Sequence, residues 1–286
     1  MRVELILVPF DSGLRDVRMG RGPAHLLELG IATQLETLGL EVAHRTIEPS
    51  AALFPSEIRI AFELQRAVAS AVSSALASDA FPLVLSGNCN VAVGVTAGVR
   101  TMRGLSPAVC WFDAHADFNT PETTVGGFLD GMAVAMLTGH CWKELTRQVP
   151  GFVPVPESQI LMLGTRDVDP LERLRLEASC IRIAAQASNP GADVDAIARA
   201  AGAPDVYVHL DLDALDAGDG RANGYSVAGG PSRSELLAAI DDIGSRATIR
   251  AASITAYDPE CDTDDRAGHV AIQAAMRIVR AALRGR

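Results

Sequence analysis

The chain has 286 residues, 48% of them hydrophobic and 21% charged, with a formal net charge of -10. That length and composition can bury a large core and fit one α/β domain over 1–286 better than two, and no Pro/Gly/Ser-rich linker divides it. The acidic balance excludes nucleic acid as an expected partner, because phosphate binding needs clustered Lys and Arg, and it favours a small cationic substrate.

Residues 1–8 lack the apolar core and cleavage site of a secretory leader, and no run approaches the roughly 20 apolar residues of a membrane span. A cytoplasmic protein with no membrane partner is therefore expected. A strand at 3–8 leads to a helix over 23–38, where Pro23 suits a first helical turn because its missing N–H costs nothing there. A strand at 41–44, an Ala-rich helix over 56–78, a strand at 81–85 and a helix over 91–99 follow. Strands at 106–112, 159–163, 180–183, 206–210 and 249–255 continue the rhythm with helices between them, and an amphipathic helix over 267–283 closes it. Strand alternating with helix some eight times predicts a three-layer α/β/α fold around a mostly parallel, about eight-stranded sheet. In such sheets the site lies beyond the carboxyl ends of the strands, and each motif below follows a strand. The five cysteines, Cys89, Cys110, Cys141, Cys180 and Cys261, show neither paired zinc spacing nor the density of a disulfide scaffold.

Trp111-Phe112-Asp113-Ala114-His115-Ala116-Asp117 runs from an apolar strand into three potential ligands at alternate positions, which in extended chain point the same way. By itself Asp-x-His-x-Asp suits a solvated polar turn as well as a metal site. A second apolar strand, at 206–210, also ends in alternating carboxylates, Asp211 and Asp213, and buried charge there is costly without a cation. Two such strand ends can hold two metals. Carboxylates mixed with imidazole suit divalent first-row ions rather than calcium.

Together with Val8-Pro9-Phe10-Asp11-Ser12-Gly13 and Gly20-Arg21-Gly22-Pro23, these motifs give a chain that resembles the arginase (ureohydrolase) family of binuclear-metal amidinohydrolases over nearly its whole length. The resemblance implies an arginase-like fold and a homo-oligomer, trimer or hexamer. Ser86-Gly87-Asn88-Cys89-Asn90 stands where the family usually has Gly-Gly-Asp-His-Ser, whose His ligates the more exposed metal. A lone thiol is usually a buried structural Cys, but the position of Cys89 favours a metal-bound thiolate. Manganese remains the first expectation for the two divalent ions, with iron, nickel, cobalt or zinc admitted by the softer sulfur.

Carried over position by position, the resemblance assigns Cys89, Asp113, Asp117 and Asp211 to one metal and His115, Asp113, Asp211 and Asp213 to the other. Water activated by the metals would attack the amidine carbon, and Asp117 would pass a proton to the leaving amine. Asn119 and Thr124 match positions that recognise an α-carboxylate, with Gly126 in place of a Ser. Asp169 and Glu172 match positions that read an α-amino group, although Asp169 also suits the N-cap of a helix starting at Pro170. Asp130 takes the place of a His thought to shuttle protons, and Ala256 that of a Glu that grips the guanidinium. Asp130 is therefore read as a partial replacement for the missing cation partner. The chain is similar to Nω-hydroxy-L-arginine hydrolases in carrying a Cys at the position of Cys89.

The expected reaction converts arginine or Nω-hydroxyarginine to urea or hydroxyurea plus an amino acid. Two other readings stand beside it: hydrolysis of another amidine, such as a formimino or guanidino acid, and a non-catalytic metal-binding member that acts as an assembly partner. His25, His44, His140, His209 and His269 read as ordinary structural or surface histidines.

Overall fold

The computed structural model describes residues 2–50, 56–184 and 189–285. β1 (Arg2–Val8) is followed by a small hairpin of β2 (Phe10–Asp11) and β3 (Leu14–Arg15), then by α1 (Gly22–Glu28), α2 (Ile31–Glu36) and β4 (Glu41–Thr46). α3 (Glu57–Ala77), β5 (Ala80–Ser86), α4 (Ala92–Arg103) and β6 (Ala108–Phe112) come next. Beyond a long loop lie α5 (Ala133–Leu137), α6 (Lys143–Thr146), β7 (Ile160–Leu163), α7 (Pro170–Glu177) and β8 (Arg182–Ile183). α8 (Gly191–Ala201), β9 (Asp205–Asp211), α9 (Arg233–Arg246), β10 (Thr248–Thr255) and α10 (Arg266–Arg284) complete the chain.

Eight strands form one sheet in the order β4-β1-β5-β10-β9-β6-β7-β8, and every pairing is parallel. β5, β6, β7 and β9 are buried along their full length, which is why they read as continuous apolar runs: helices cover both faces of a parallel sheet. Alternation then sorts the side chains. Leu83, Cys110, Val208 and Ile254 pack with residues of α1, α2, α8, α9 and α10, while Val84, Trp111, Tyr207 and Ala251 pack with residues of α3, α4 and α5.

The structure departs from expectation in three places. The helix expected over 23–38 is two helices, because Leu29 ends α1 and Gly30 turns left-handed at φ 89. The strand expected at 180–183 shrinks to two residues at the sheet edge. The strand expected from 106 starts at Ala108 and ends at Phe112, so Asp113, His115 and Asp117 lie on a loop beyond it rather than on extended chain. Their convergence comes from that loop, in which Asp117 takes a left-handed conformation at φ 47.

Candidate metal centre

Four adjacent central strands, β5, β10, β9 and β6, end beneath one cavity of about 340 Å³. Cys89 is on the turn after β5, Asp113 one residue beyond β6, Asp211 at the end of β9, and Asp213 on the short turn after it. Because Phe112 pairs with Leu210 and Thr255 with Asp211, neighbouring strands stop at one level and the side chains that follow meet. Ligand atoms of Cys89, Asp113 and Asp117 lie within 4.8 Å of one another, as do those of Asp113, His115 and Asp213. Asp113 belongs to both groups. Asp211 joins through its Oδ2, 3.0 Å from the Cys89 sulfur, and through its Oδ1, which accepts from the Asp213 N–H at 2.8 Å.

Further bonds hold these side chains in place. Trp111 Nε1 donates to Asp113 Oδ2 at 3.1 Å, and His115 Nδ1 sits 3.2 Å from Asp113 Oδ1 and 3.4 Å from Asp213 Oδ2. Asn223 Nδ2 donates to Asp213 Oδ2 at 3.2 Å and to the Ala256 carbonyl at 2.8 Å. Among the described residues no hydrogen-bond donor reaches the Asp117 carboxylate, which lines the cavity. Trp111 and Asn223 were not anticipated as site residues. Trp111 read as a strand residue, and no motif surrounds Asn223.

The electrostatics are those of a buried anionic cluster short of positive charge. Burial, then repulsion from Asp213, raises the Asp113 carboxyl to about 6. Burial and neighbouring carboxylates push Asp117 and Asp211 well above the usual carboxylate range, and burial, then Asp211, pushes the Cys89 thiol well above the usual thiol range. Burial opposes the His115 cation, but Asp113 and Asp213 overcome it and lift that imidazole to about 12. One imidazolium cannot neutralise four carboxylates, and a thiolate at Cys89 would add a further negative charge. Oxygen, nitrogen and sulfur donors in two groups that share Asp113 suit two divalent first-row ions.

Around the centre, Asn119, Thr124, Asp130, Asp169 and Glu172 all line the same cavity. Their hydrogen bonds separate them. Asn119 Nδ2 donates to Asp169 Oδ2 at 3.1 Å, while Asp169 is the N-cap of α7. Glu172, 3% exposed, accepts from the N–H groups of Phe118 (2.7 Å) and Asp169 (3.2 Å), so both its oxygens hold loop backbone. Thr124 Oγ1 accepts from the Gly127 N–H at 3.0 Å.

Asp130 lies against the Cys89 turn. Its Oδ2 accepts from Asn88 Nδ2 (2.9 Å) and the Cys89 N–H (2.8 Å), and its Oδ1 from the N–H (2.9 Å) and Nδ2 (3.1 Å) of Asn90. Burial lifts its carboxyl to about 7 against the pull of these donors. Phe128 and Tyr225 also line the cavity and stack with ring centroids 5.6 Å apart, and Tyr225 and His115 meet at right angles. Ala256 presents only a methyl group to the cavity, from a left-handed backbone at φ 60.

The family model described as the arginase family matches residues 1–282. Among curated relatives, the arginase of Bacillus caldovelox is 27% identical over 288 residues, covering 94% of this chain and 95% of its own. The arginase of Brevibacillus brevis is 26% identical over 287 residues, with 94% and 95% covered. The solved B. caldovelox arginase superposes with a TM-score of 0.85 at 24% identity over 97% of each chain. Proclavaminate amidino hydrolase from Streptomyces clavuligerus gives 0.72 at 19% identity, covering 100% of this chain and 93% of its own. At these identities the superpositions speak for the fold, whereas the family match spans almost every residue. The chain belongs to the arginase family of ureohydrolases, hydrolases of linear amidines.

Proposed function

We propose that the protein hydrolyses the bond between the guanidino carbon and the side-chain nitrogen of a guanidino amino acid, arginine or Nω-hydroxy-L-arginine, giving urea or hydroxyurea and an amino acid. The observation that carries this reading is the pair of ligand groups sharing Asp113 on the floor of a cavity whose rim holds Asn119, Thr124 and Asp169. Cys89, Asp113, Asp117 and Asp211 would hold one divalent ion, and His115, Asp113, Asp211 and Asp213 the other, with manganese first among the candidates. When bound, the ions would supply Lewis-acid chemistry and lower the pKa of water.

The chain's own residues do the rest. The carboxylate-rich floor attracts a guanidinium, and Asn119, Thr124 and Asp169 orient an amino-acid head group at the rim. Asp117, with no donor on its carboxylate, is free to hold and pass a proton to the departing amine. Ala256 leaves room for a larger or modified guanidinium, which favours the hydroxylated substrate. The four N–H donors on Asp130 favour a role in ordering the Cys89 turn over direct contact with the substrate cation. A homo-oligomer is part of the same proposal.

The test pairs metal analysis of the purified protein and of Cys89→His with release of urea from L-arginine, agmatine and guanidinobutyrate and of hydroxyurea from Nω-hydroxy-L-arginine. Two metals per chain with turnover of an α-amino acid substrate is the expected result. Turnover of agmatine or guanidinobutyrate alone would point to another amidine, and metal without turnover of any would point to a non-catalytic assembly role.

A further inference from the structure

Beneath the Cys89 sulfur a line of buried polar groups runs between β9 and β10. Tyr207, His209, Ser253 and Thr255 are each 0% exposed and share the sheet face that carries Trp111. The Tyr207 hydroxyl is 2.6 Å from Ser253 Oγ, and Ser253 Oγ is 2.8 Å from His209 Nδ1. His209 Nε2 is 3.4 Å from Thr255 Oγ1, which lies 3.1 Å from Cys89 Sγ. Trp111 stacks on the His209 ring at 3.6 Å and 10°, and the same indole donates to Asp113, so the imidazole plane is clamped.

We propose that these groups form a one-way relay of hydrogen bonds, Tyr207 to Ser253 to His209 to Thr255, that ends with the Thr255 hydroxyl donating to the Cys89 sulfur. His209 and Thr255 are then positioning residues for the thiolate, an inference that rests on Cys89 being a ligand.

The direction follows from counting protons. A neutral imidazole has one donor and one acceptor. With Nδ1 accepting from Ser253, Nε2 carries the proton and donates to Thr255 Oγ1, which leaves the threonine hydrogen for the sulfur. Run backwards, the relay would end at Tyr207. The Tyr207 hydroxyl has only Ser253 and His209 as side-chain partners among the described residues, so its buried hydrogen would then have no acceptor. The competing acceptor for the threonine proton is the Leu210 carbonyl at 3.3 Å. A thiolate is both nearer and charged, and charge-assisted hydrogen bonds are the stronger ones. A hydrogen bond to a metal-bound sulfur draws charge off it, and loss of such supporting partners typically costs about 10–100-fold in metal affinity.

The experiment uses cobalt(II)-loaded protein, whose thiolate-to-cobalt charge-transfer band reports on the sulfur. Thr255→Val keeps the shape and removes the hydroxyl. The expected result is a shift of the band to longer wavelength with cobalt affinity about 10-fold weaker or more, and Thr255→Ser restores both. An unshifted band and unchanged affinity in Thr255→Val would overturn the relay while leaving Cys89 as a ligand. A wild-type protein that binds cobalt without the band would remove the ligand reading, and the relay with it. Independently, nitrogen NMR of histidine-labelled, zinc-loaded protein is expected to place the His209 proton on Nε2. A proton on Nδ1 would reverse the relay and refute it.

Discussion

At the scale of single residues, the proposed reaction divides the cavity between groups that would touch the substrate and groups that hold those in place. Asp117 is the clearest of the first kind, since its backbone is left-handed at φ 47 and its buried carboxylate meets no donor among the described residues. Asp117→Asn is expected to lower turnover at least about 100-fold, the size of a lost positioned acid or base, with its melting temperature close to wild type. Asn223 is of the second kind. Asn223→Ala removes the donor to Asp213 and leaves the Ala256 carbonyl unpaired, so metal affinity should fall about 10–100-fold in a chelator competition. The carboxylates and Cys89 were legible in the sequence because each stands in a short motif directly after a strand. Trp111, Asn223 and His209 were not, because their roles depend on which strand lies beside which. His209 looks unremarkable until β10 brings Ser253 and Thr255 against it.

At the scale of elements, the loops above the sheet are tied by one side chain that carried no signal in the sequence. The Arg166 guanidinium donates to the carbonyls of Gly164, Asp213, Ala214, Leu215, Val227 and Ala228, joining the loop after β7 to the turn that carries Asp213 and to the loop at 227–228. Only a planar fork with five N–H groups reaches so many acceptors. Arg166→Lys is expected to cost about 2–3 kcal/mol in denaturant unfolding, because each hydrogen bond to a charged group contributes about 1.5–3 kcal/mol and several orphaned carbonyls recover water. The broken helix over 23–38 and the two-residue β8 show the limit of reading elements one at a time. Apolar spacing continued through Leu29 and Gly30, and Cys180 and Ile181 looked like strand, but backbone pairing decided both ends. The alternating run from Asp113 to Asp117 misled for the same reason, since side-chain period persisted after the chain had left the sheet.

At the scale of the whole molecule, parallel order and helices on both faces were legible from the strand–helix rhythm, while the order of strands was not. The central cluster links fold stability to pH and to metal. Asp113 has a folded pKa raised to about 6 from an ordinary carboxylate value, so its contribution in metal-free protein is full at low pH and is lost as pH rises through about 6. Divalent ions relieve that repulsion, and they must also displace protons from His115 and Cys89. Manganese affinity should therefore increase from pH 5 to 7.5, and the gain in melting temperature on manganese loading should be larger at pH 7.5 than at pH 5. Among the described residues no helix is long and apolar enough to cross a membrane.

The strand order also sets a timetable for biosynthesis. β10 and β9 occupy the middle of the sheet yet come from residues 205–255, so a ribosome delivers the centre after both flanks. Until then only β1, β4 and β5 on one side and β6, β7 and β8 on the other have been made, and β5 and β6, buried along their full length in the finished sheet, each lack a neighbour. Translation from Phe112 to Thr255 takes roughly 7–30 s at about 5–20 residues per second. Bare edges held open that long are templates for pairing between nascent chains. A sheet whose central pair is made last therefore leaves two apolar edges open until the chain is nearly complete.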